Sequence, residues 1–337
     1  MNSASATEIG SLFSDLEAEA PSEPGTVRRR LPSSVTLDVF AEVRFPEREW
    51  ALLIGSKERL RDQDLVLANG LSCAVENGNV EVVAQQGTDR GVFSVLLADL
   101  LGHLASTSVG PAAGVTRRIA TWQRMLGRGL GEVLGREEQV GLFGELLLLR
   151  DLVLPAVPDH AIAAWSGPRG DTKDFTWGKW GLETKTTVSM QRFPRCRIHG
   201  EQQLDAGPLE HLLLAHQTLR DDSTGLSLAD LVDDLRENRA LVDHRQGLED
   251  ALLEAGWVEA HRRHYEHPRW VLNNRRFYRV QDGFPRIVST MLPPGVSGVS
   301  YNLDLRLCGG FQVDETAVRN VLGVLVNRPG EGQFVGG

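Results

Sequence analysis

Two carboxylates and a lysine lie close together in the segment 171–187, DTKDFTWGKWGLETKTT. The stretch Trp177-Gly178-Lys179-Trp180 reads as a hairpin with a two-residue turn, and glycine at the first central position suits type II′. That turn fixes the register. Trp177 faces Trp180, Phe175 faces Leu182, and Asp174 faces Glu183. Opposed side chains point to one side of a sheet. One face then carries Phe175, Trp177, Trp180, Leu182 and Thr184, which is a core face. The other carries Asp174, Glu183 and Lys185, with Thr176 and Gly181 beyond them. Two carboxylates with Cβ atoms about 5 Å apart destabilise a sheet unless something compensates, and a divalent cation does so directly. Magnesium is held by one or two carboxylates plus water and phosphate oxygens. Lys185, two residues past Glu183, would orient an attacking water or offset charge developing on a scissile phosphate. The plain alternative is a solvent-facing acid and lysine patch, since E-x-K alone recurs by chance in many proteins.

The lysines sharpen the question. The chain has four, Lys57, Lys173, Lys179 and Lys185, and three of them fall between 173 and 185. Elsewhere the basic residue is arginine. Lysine offers a compact point charge with a movable pKa, which arginine does not.

A third acid sits upstream, in GLFGELLLLRD. On a helix expected from about Glu137 to Leu152, Glu145 has Gly141 and Leu149 four residues away and Leu142 and Leu148 three away. A carboxylate among apolar side chains is costly unless paired or metal-bound. Gly141 and Gly144 would let the helix pack tightly on a sheet. The alternative is a buried glutamate with a structural arginine partner.

These side chains need a scaffold. Residues 1–30, rich in Ser, Ala, Glu and Pro, read as a disordered tail. From 31 to 112 the pattern is β-rich: Val35 to Val43, Trp50 to Ile54, Leu65 to Val75, Val80 to Ala84 and Val92 to Leu97, with turn signals such as Asn77-Gly78 between runs. Residues 116–128 look helical. The glycine-rich stretch 127–135 lacks GK[ST] and a preceding strand, so it reads as a helix-to-helix connection rather than a phosphate loop. A core spans 113–218, helical and loop segments fill 200–256, an α+β region covers 219–327, and 328–337 is a flexible tail.

Composition excludes several classes. Hydrophobic residues make up 41% and charged residues 24%, ordinary values for a globular protein. No apolar run is long enough to span a membrane, and no basic-then-apolar leader opens the chain, so a cytoplasmic protein is expected. Cys73, Cys196 and Cys308 lie far apart with no CxxC pair, which argues against a zinc knuckle or a disulfide framework. The net charge of −9 argues against a general nucleic-acid coating protein, while leaving room for local basic patches around a metal site.

In order and spacing, five elements resemble the DUF4420 family of PD-(D/E)XK motif proteins. They are Gly141 to Glu145, Trp165-Ser166-Gly167-Pro168, Lys173-Asp174-Phe175, Glu183-Thr184-Lys185 and Gln203-Leu204. Phe284-Pro285 and the Tyr301 to Leu307 strand are similar to the family's end, and the resemblance covers roughly residues 35–327. It implies an α/β, restriction-endonuclease-like core, a mixed sheet flanked by helices, with a β-rich N-terminal domain and an α+β C-terminal region. It implies Mg²⁺- or Mn²⁺-dependent endonuclease cleavage of phosphodiester bonds, in DNA, in a bacterial restriction or phage-defence setting. By position, Asp174 and Glu183 would bind metal with Glu145 completing the site, Lys185 would be catalytic, and Gln203 would be a helix-borne glutamine at the site. Lys173 stands where the nominal motif has proline. Defence-system partner proteins and a homodimer are compatible with the resemblance; a membrane is not expected.

Arg192, Arg195 and Arg197 follow the E-x-K strand and suit phosphate contact, or else a solvated strand face. In HRRHYEHPR, residues 261–269, a basic surface patch is favoured over a zinc site. Two rival functions remain: an inactive nuclease-fold scaffold or DNA-binding subunit, and glycoside hydrolysis by two carboxylates. The nearby lysine and the lack of an aromatic sugar platform argue against the latter.

Overall fold

The computed structural model describes residues 5–32, 37–67, 70–106, 110–127, 133–190 and 195–326. The chain divides into two compact units, 1–133 with 256–261, and 134–255 with 262–337.

In the first unit, helix α1 (Ala6–Ala18) precedes strands β1 (Gly25–Arg30), β2 (Asp38–Phe45), β3 (Glu49–Gly55), β4 (Gln63–Val66), β5 (Leu71–Glu76) and β6 (Asn79–Ala84), followed by helices α2 (Arg90–Ser106) and α3 (Pro111–Gly127). The strands form one antiparallel sheet in the order β1-β2-β3-β6-β5-β4. Residues 6–30 are therefore not a disordered tail. Ser5 and Glu8 form a capping box, and Ile9, Phe13 and Leu16 recur at helical spacing and are buried. Phe13 stacks on Trp50 at 4.9 Å, so the helix has a core to join. The strand expected at Val92 to Leu97 is part of α2. Phe93, Leu96, Leu97, Leu100 and Leu104 are buried at a period that only a helix satisfies.

The second unit begins with α4 (Arg136–Leu148), which runs through a π-helical turn (Leu149–Val153) into α5 (Leu154–Ala156) and then α6 (Ala161–Ala164). Strands β7 (Phe175–Trp177), β8 (Trp180–Val188), β9 (Arg195–Ile198) and β10 (His211–Leu226) follow, then helices α7 (Leu228–Glu237) and α8 (Arg245–Glu254), strands β11 (Trp270–Arg279), β12 (Tyr301–Asp304) and β13 (Gln312–Val313), and helix α9 (Glu315–Val326). Part of the glycine-rich connection, 128–132, lies outside the described residues, and helices flank it as expected.

The mixed sheet has the order β13-β11-β10-β8-β7, with β8 and β10 parallel and the other pairs antiparallel. Its central strand, β10, lies where helix and loop were expected, and the 218/219 boundary would cut it in two. A strand buried on both faces reads as an unbroken apolar run, here Leu212-Leu213-Leu214-Ala215, and shows no alternation. Helix α4 packs on β8. A Cβ at Gly144 would come within 1.7 Å of Thr186 Oγ1, so only glycine permits the approach. Gly141 faces open space and plays no such part. The opposite face is covered by β9 and β12, whose Cys196, Ile198 and Leu303 join Leu204, Leu212 and Leu214 in one buried cluster.

Candidate active site

The hairpin forms in the expected register. Phe175 pairs with Leu182, Thr176 with Gly181 and Trp177 with Trp180, around a turn in which Gly178 has φ +52°. The ladder stops there, one residue short of Asp174. Instead of a backbone bond, the Asp174 side chain continues the pairing: Thr184 N donates to Asp174 Oδ2 at 2.6 Å. The Asp174 carbonyl turns the other way and accepts from Ser166 N and Gly167 N, both at 2.9 Å. Asp174 thus sits at the open edge of β8, tied to the W-x-G-P segment.

Period-2 alternation places Glu183 and Lys185 on one face, and there they meet, with Lys185 Nζ 2.8 Å from Glu183 Oε1. Lys185 thus serves one Glu183 oxygen, while Oε2 has no hydrogen-bond partner although the side chain is 1% exposed. This face is the one under the β9–β12 cluster, because a Cβ at Gly181 would strike Leu209 and Leu212. A solvent-facing patch is therefore not what the hairpin presents.

Glu145 comes from the other side. Its helix packs on the Thr186 face, opposite Glu183. The carboxylate nevertheless reaches Asp174 around the edge that the short β7 leaves open. A Cβ at Gly167 would lie 3.2 Å from both Glu145 Oε2 and Asp174 Oδ1, so the two oxygens are at most twice that distance apart. Its partner is not an arginine: Trp165 Nε1 donates to Glu145 Oε2 at 2.8 Å from a fully buried ring.

Three acids this close shift one another. Burial pushes Glu183 up to about 8, and the Asp174 charge adds to it, while Lys185 pulls the other way. Glu145 is raised well above the usual carboxylate range by its surroundings and then by Asp174. Asp174 is raised by burial, against the pull of Lys185 and the Thr184 N–H. Burial would lower the Lys185 ammonium, but Glu183 and Asp174 outweigh it and the value rises. Glu145 and Asp174 are half-buried and keep accessible surface, so ions and water can reach this end of the cluster.

A second cation, not among the expected site residues, adjoins the acids. Lys173, 4% exposed, runs its stem past Gly181 and donates from Nζ to Gln202 O at 2.5 Å. The Glu183 charge acts on it before any other, after the lowering effect of burial. Its place among the clustered lysines was the available signal.

Gln203 is not helix-borne. It lies in a turn over 201–204 and accepts from His199 N at 2.9 Å, bracing the turn that Lys173 anchors. Arg195 and Arg197 point outward from β9, alternating with buried Cys196 and Ile198. Arg192 lies outside the described residues. In the basic stretch after 261, Arg262 pairs with Asp233, and Arg269 with Asp230 at 2.9 Å, so these arginines brace α7.

The donor set fits a small, hard divalent cation. Among the described residues no group of three or more His, Cys, Asp or Glu side chains is gathered to close on an ion. Magnesium does not require one, since water and phosphate oxygens complete its shell. Asp174 Oδ1 and Glu183 Oε2 would be the atoms to supply it, and such an ion would satisfy the Oε2 that has no hydrogen-bond partner. Among the described residues, no helix is long and apolar enough to cross a membrane.

A family model described as "Putative PD-(D/E)XK family member, (DUF4420)" matches residues 9–306, starting earlier and ending sooner than the motifs alone suggested. No curated protein and no solved structure matches the chain.

Proposed function

This chain belongs to the DUF4420 family, and from that premise we propose that it is a metal-dependent endonuclease cleaving phosphodiester bonds, with DNA as substrate, in a bacterial restriction or phage-defence setting. One observation carries the reading. Carboxylates from three separate segments, α4, the residue before β7 and the middle of β8, converge beside a lysine ammonium, and Oε2 of the buried Glu183 has no hydrogen-bond partner. A purely structural core has no use for such an arrangement, because each unpartnered buried carboxylate costs stability.

Asp174 and Glu183 would hold the cation, with Glu145 at its outer side. Bound there, a divalent ion would polarise a phosphoryl oxygen and lower the pKa of a water. The protein's own groups do the rest. Trp165 fixes the Glu145 carboxylate, and the Thr184 N–H fixes one oxygen of Asp174 so that the other faces the Glu145 side. Lys185 keeps its proton at neutral pH, since its pKa is raised. It therefore acts as a donor that orients water and offsets charge on the phosphate, not as a base. Arg195 and Arg197, exposed on β9, would contact the backbone.

The inactive-scaffold reading draws on the Lys185–Glu183 pair, which already compensates part of the Glu183 charge without metal. Plasmid DNA incubated with the protein and Mg²⁺ or Mn²⁺, against chelator, decides between them. Metal-dependent nicking supports the nuclease. Calorimetry with Mn²⁺ on wild type and Asp174→Asn tests the ligand assignment, and equal affinity in both would remove Asp174 from the site.

A further inference from the structure

Glycine inside a helix costs stability relative to alanine, so it calls for a reason. Gly144 has one in its contact with Thr186. Gly141 has none of that kind: it lies within α4, and a Cβ there would meet nothing within 4 Å. Its direction is informative. Counting round the helix axis at about 100° per residue from Gly144, which faces the sheet, Gly141 lies at roughly 60° and Glu145 at roughly 100°. The two share one side of the helix, about 6 Å apart along the axis. The open space beside Gly141 therefore adjoins the carboxylate that reaches Asp174.

Beside that space runs a strand edge. β7 pairs with β8 only from Trp180 to Leu182, and among the described residues no strand takes over beyond it. Thr184 N turns to this edge, where it meets Asp174 Oδ2. By the two-residue period of a strand, Thr186 N and Val188 N turn the same way. Residues 185–188 are half-buried, as are Gly141, Glu145 and Asp174, so the edge is reached by solvent next to the acids. Helix α4 follows the edge with its first turn toward the end of β8: Gly144 sits on Thr186, and Arg136 pairs with Asp221, two residues past the partner of Val188. Across the edge stands His199, exposed just after β9. The Lys185 and Arg197 charges act on it, and so, from α4, does Glu137. The helix and the end of β9 thus flank the same stretch of β8.

Resting on the nuclease reading above, we propose that the open edge of β8 is the path by which a DNA strand enters the metal site, that the absent side chain at Gly141 leaves room for it, and that His199 contacts its phosphate. The charges set the orientation of the strand. Lys185 and His199 lie on the β9 side, so the phosphates turn that way. The helix side carries Glu137 and Glu145, which repel phosphate, so the neutral sugars turn to Gly141. Thr186 N and Val188 N lie along the path as backbone donors, a common kind of phosphate contact.

The test is fluorescence anisotropy on the full chain with a labelled DNA duplex, with Ca²⁺ in place of Mg²⁺, joined to urea unfolding and Mn²⁺ calorimetry. Gly141→Ala should raise the urea midpoint, because alanine is the better helix former and its methyl has nothing to strike. Gly141→Trp should weaken DNA binding roughly tenfold or more, the scale of a steric overlap, with Mn²⁺ affinity unchanged. His199→Ala should weaken it about fivefold, the scale of one hydrogen bond. Gly310→Trp puts the same bulk at another glycine with open surroundings, past the opposite end of β9 from His199, and should bind like wild type. Wild-type binding by Gly141→Trp, or equal losses at 141 and 310, would overturn the proposal while leaving the nuclease reading in place. So would a lower midpoint for Gly141→Ala, which would make Gly141 a packing residue, or lost Mn²⁺ affinity in Gly141→Trp, which would mean a distorted site. A wild type that binds no DNA would overturn both. If Gly141→Trp fails to fold, Gly141→Leu against Gly310→Leu decides: weaker binding only at 141 supports the proposal, and equal binding overturns it.

Discussion

Glu183→Gln should flatten the pH dependence of folding stability in the metal-free protein. The Glu183 carboxyl rises from an ordinary 4.5 to about 8, chiefly because burial disfavours its charge. A group raised in this way holds its proton more tightly when folded. Between 4.5 and about 8, the folded chain therefore retains a proton that the unfolded chain has released. Stability is full below that window and falls as pH rises through it. At about 1.4 kcal/mol per pKa unit, the whole shift corresponds to on the order of 5 kcal/mol. Asp174 and Lys185 titrate against the same charge, so the difference between variant and wild type is the quantity to read. Glutamine keeps the shape of the side chain and removes the titration. Urea unfolding followed by circular dichroism, in chelator from pH 5 to pH 9, should show wild type weakening and the variant gaining on it by a few kcal/mol. Saturating Mn²⁺ should remove most of the wild-type slope, because the bound ion takes the place of the proton. Parallel curves for the two proteins would refute the claim that Glu183 is a buried acid that holds its proton in the metal-free protein.

Lys185→Ala should cost about 10²–10³ in cleavage rate with nucleic-acid affinity nearly unchanged, the scale of losing one preorganised donor. Lys185→Arg should not restore it, since a planar guanidinium cannot replace a compact ammonium beside Glu183; single-turnover rates check both. Trp165→Phe removes the indole N–H from Glu145 Oε2 and should destabilise the metal-free protein by about 1–3 kcal/mol, measured as a shift in urea midpoint. Gly144→Ala drives a methyl into Thr186 and should destabilise by about 1–3 kcal/mol or more, with partial recovery in the Gly144→Ala, Thr186→Ala double variant.

The local half of the site is legible in the order of the residues. Turn chemistry at Gly178 sets the hairpin register, and the two-residue period of a strand puts Glu183 and Lys185 on one face. Helix α4 is readable from its own pattern, with Gly144 marking where it meets the sheet. The rest depends on chain segments far apart in sequence. Asp174 reads as a cross-strand partner of Glu183, but β7 begins only after it, and the W-x-G-P segment takes its carbonyl. That late start of β7 lets Glu145 reach Asp174 from the opposite face. Strand β10 is hidden in the sequence because a strand buried on both sides loses its alternation. Lys173 and Gln203 are visible as residues, but what they hold, the turn over 201–204, exists only once the sheet has formed. Dihedral preferences and periodicity act over a few residues and are written in the sequence. Which acid meets which across strands of distant origin is decided by the burial of the whole sheet.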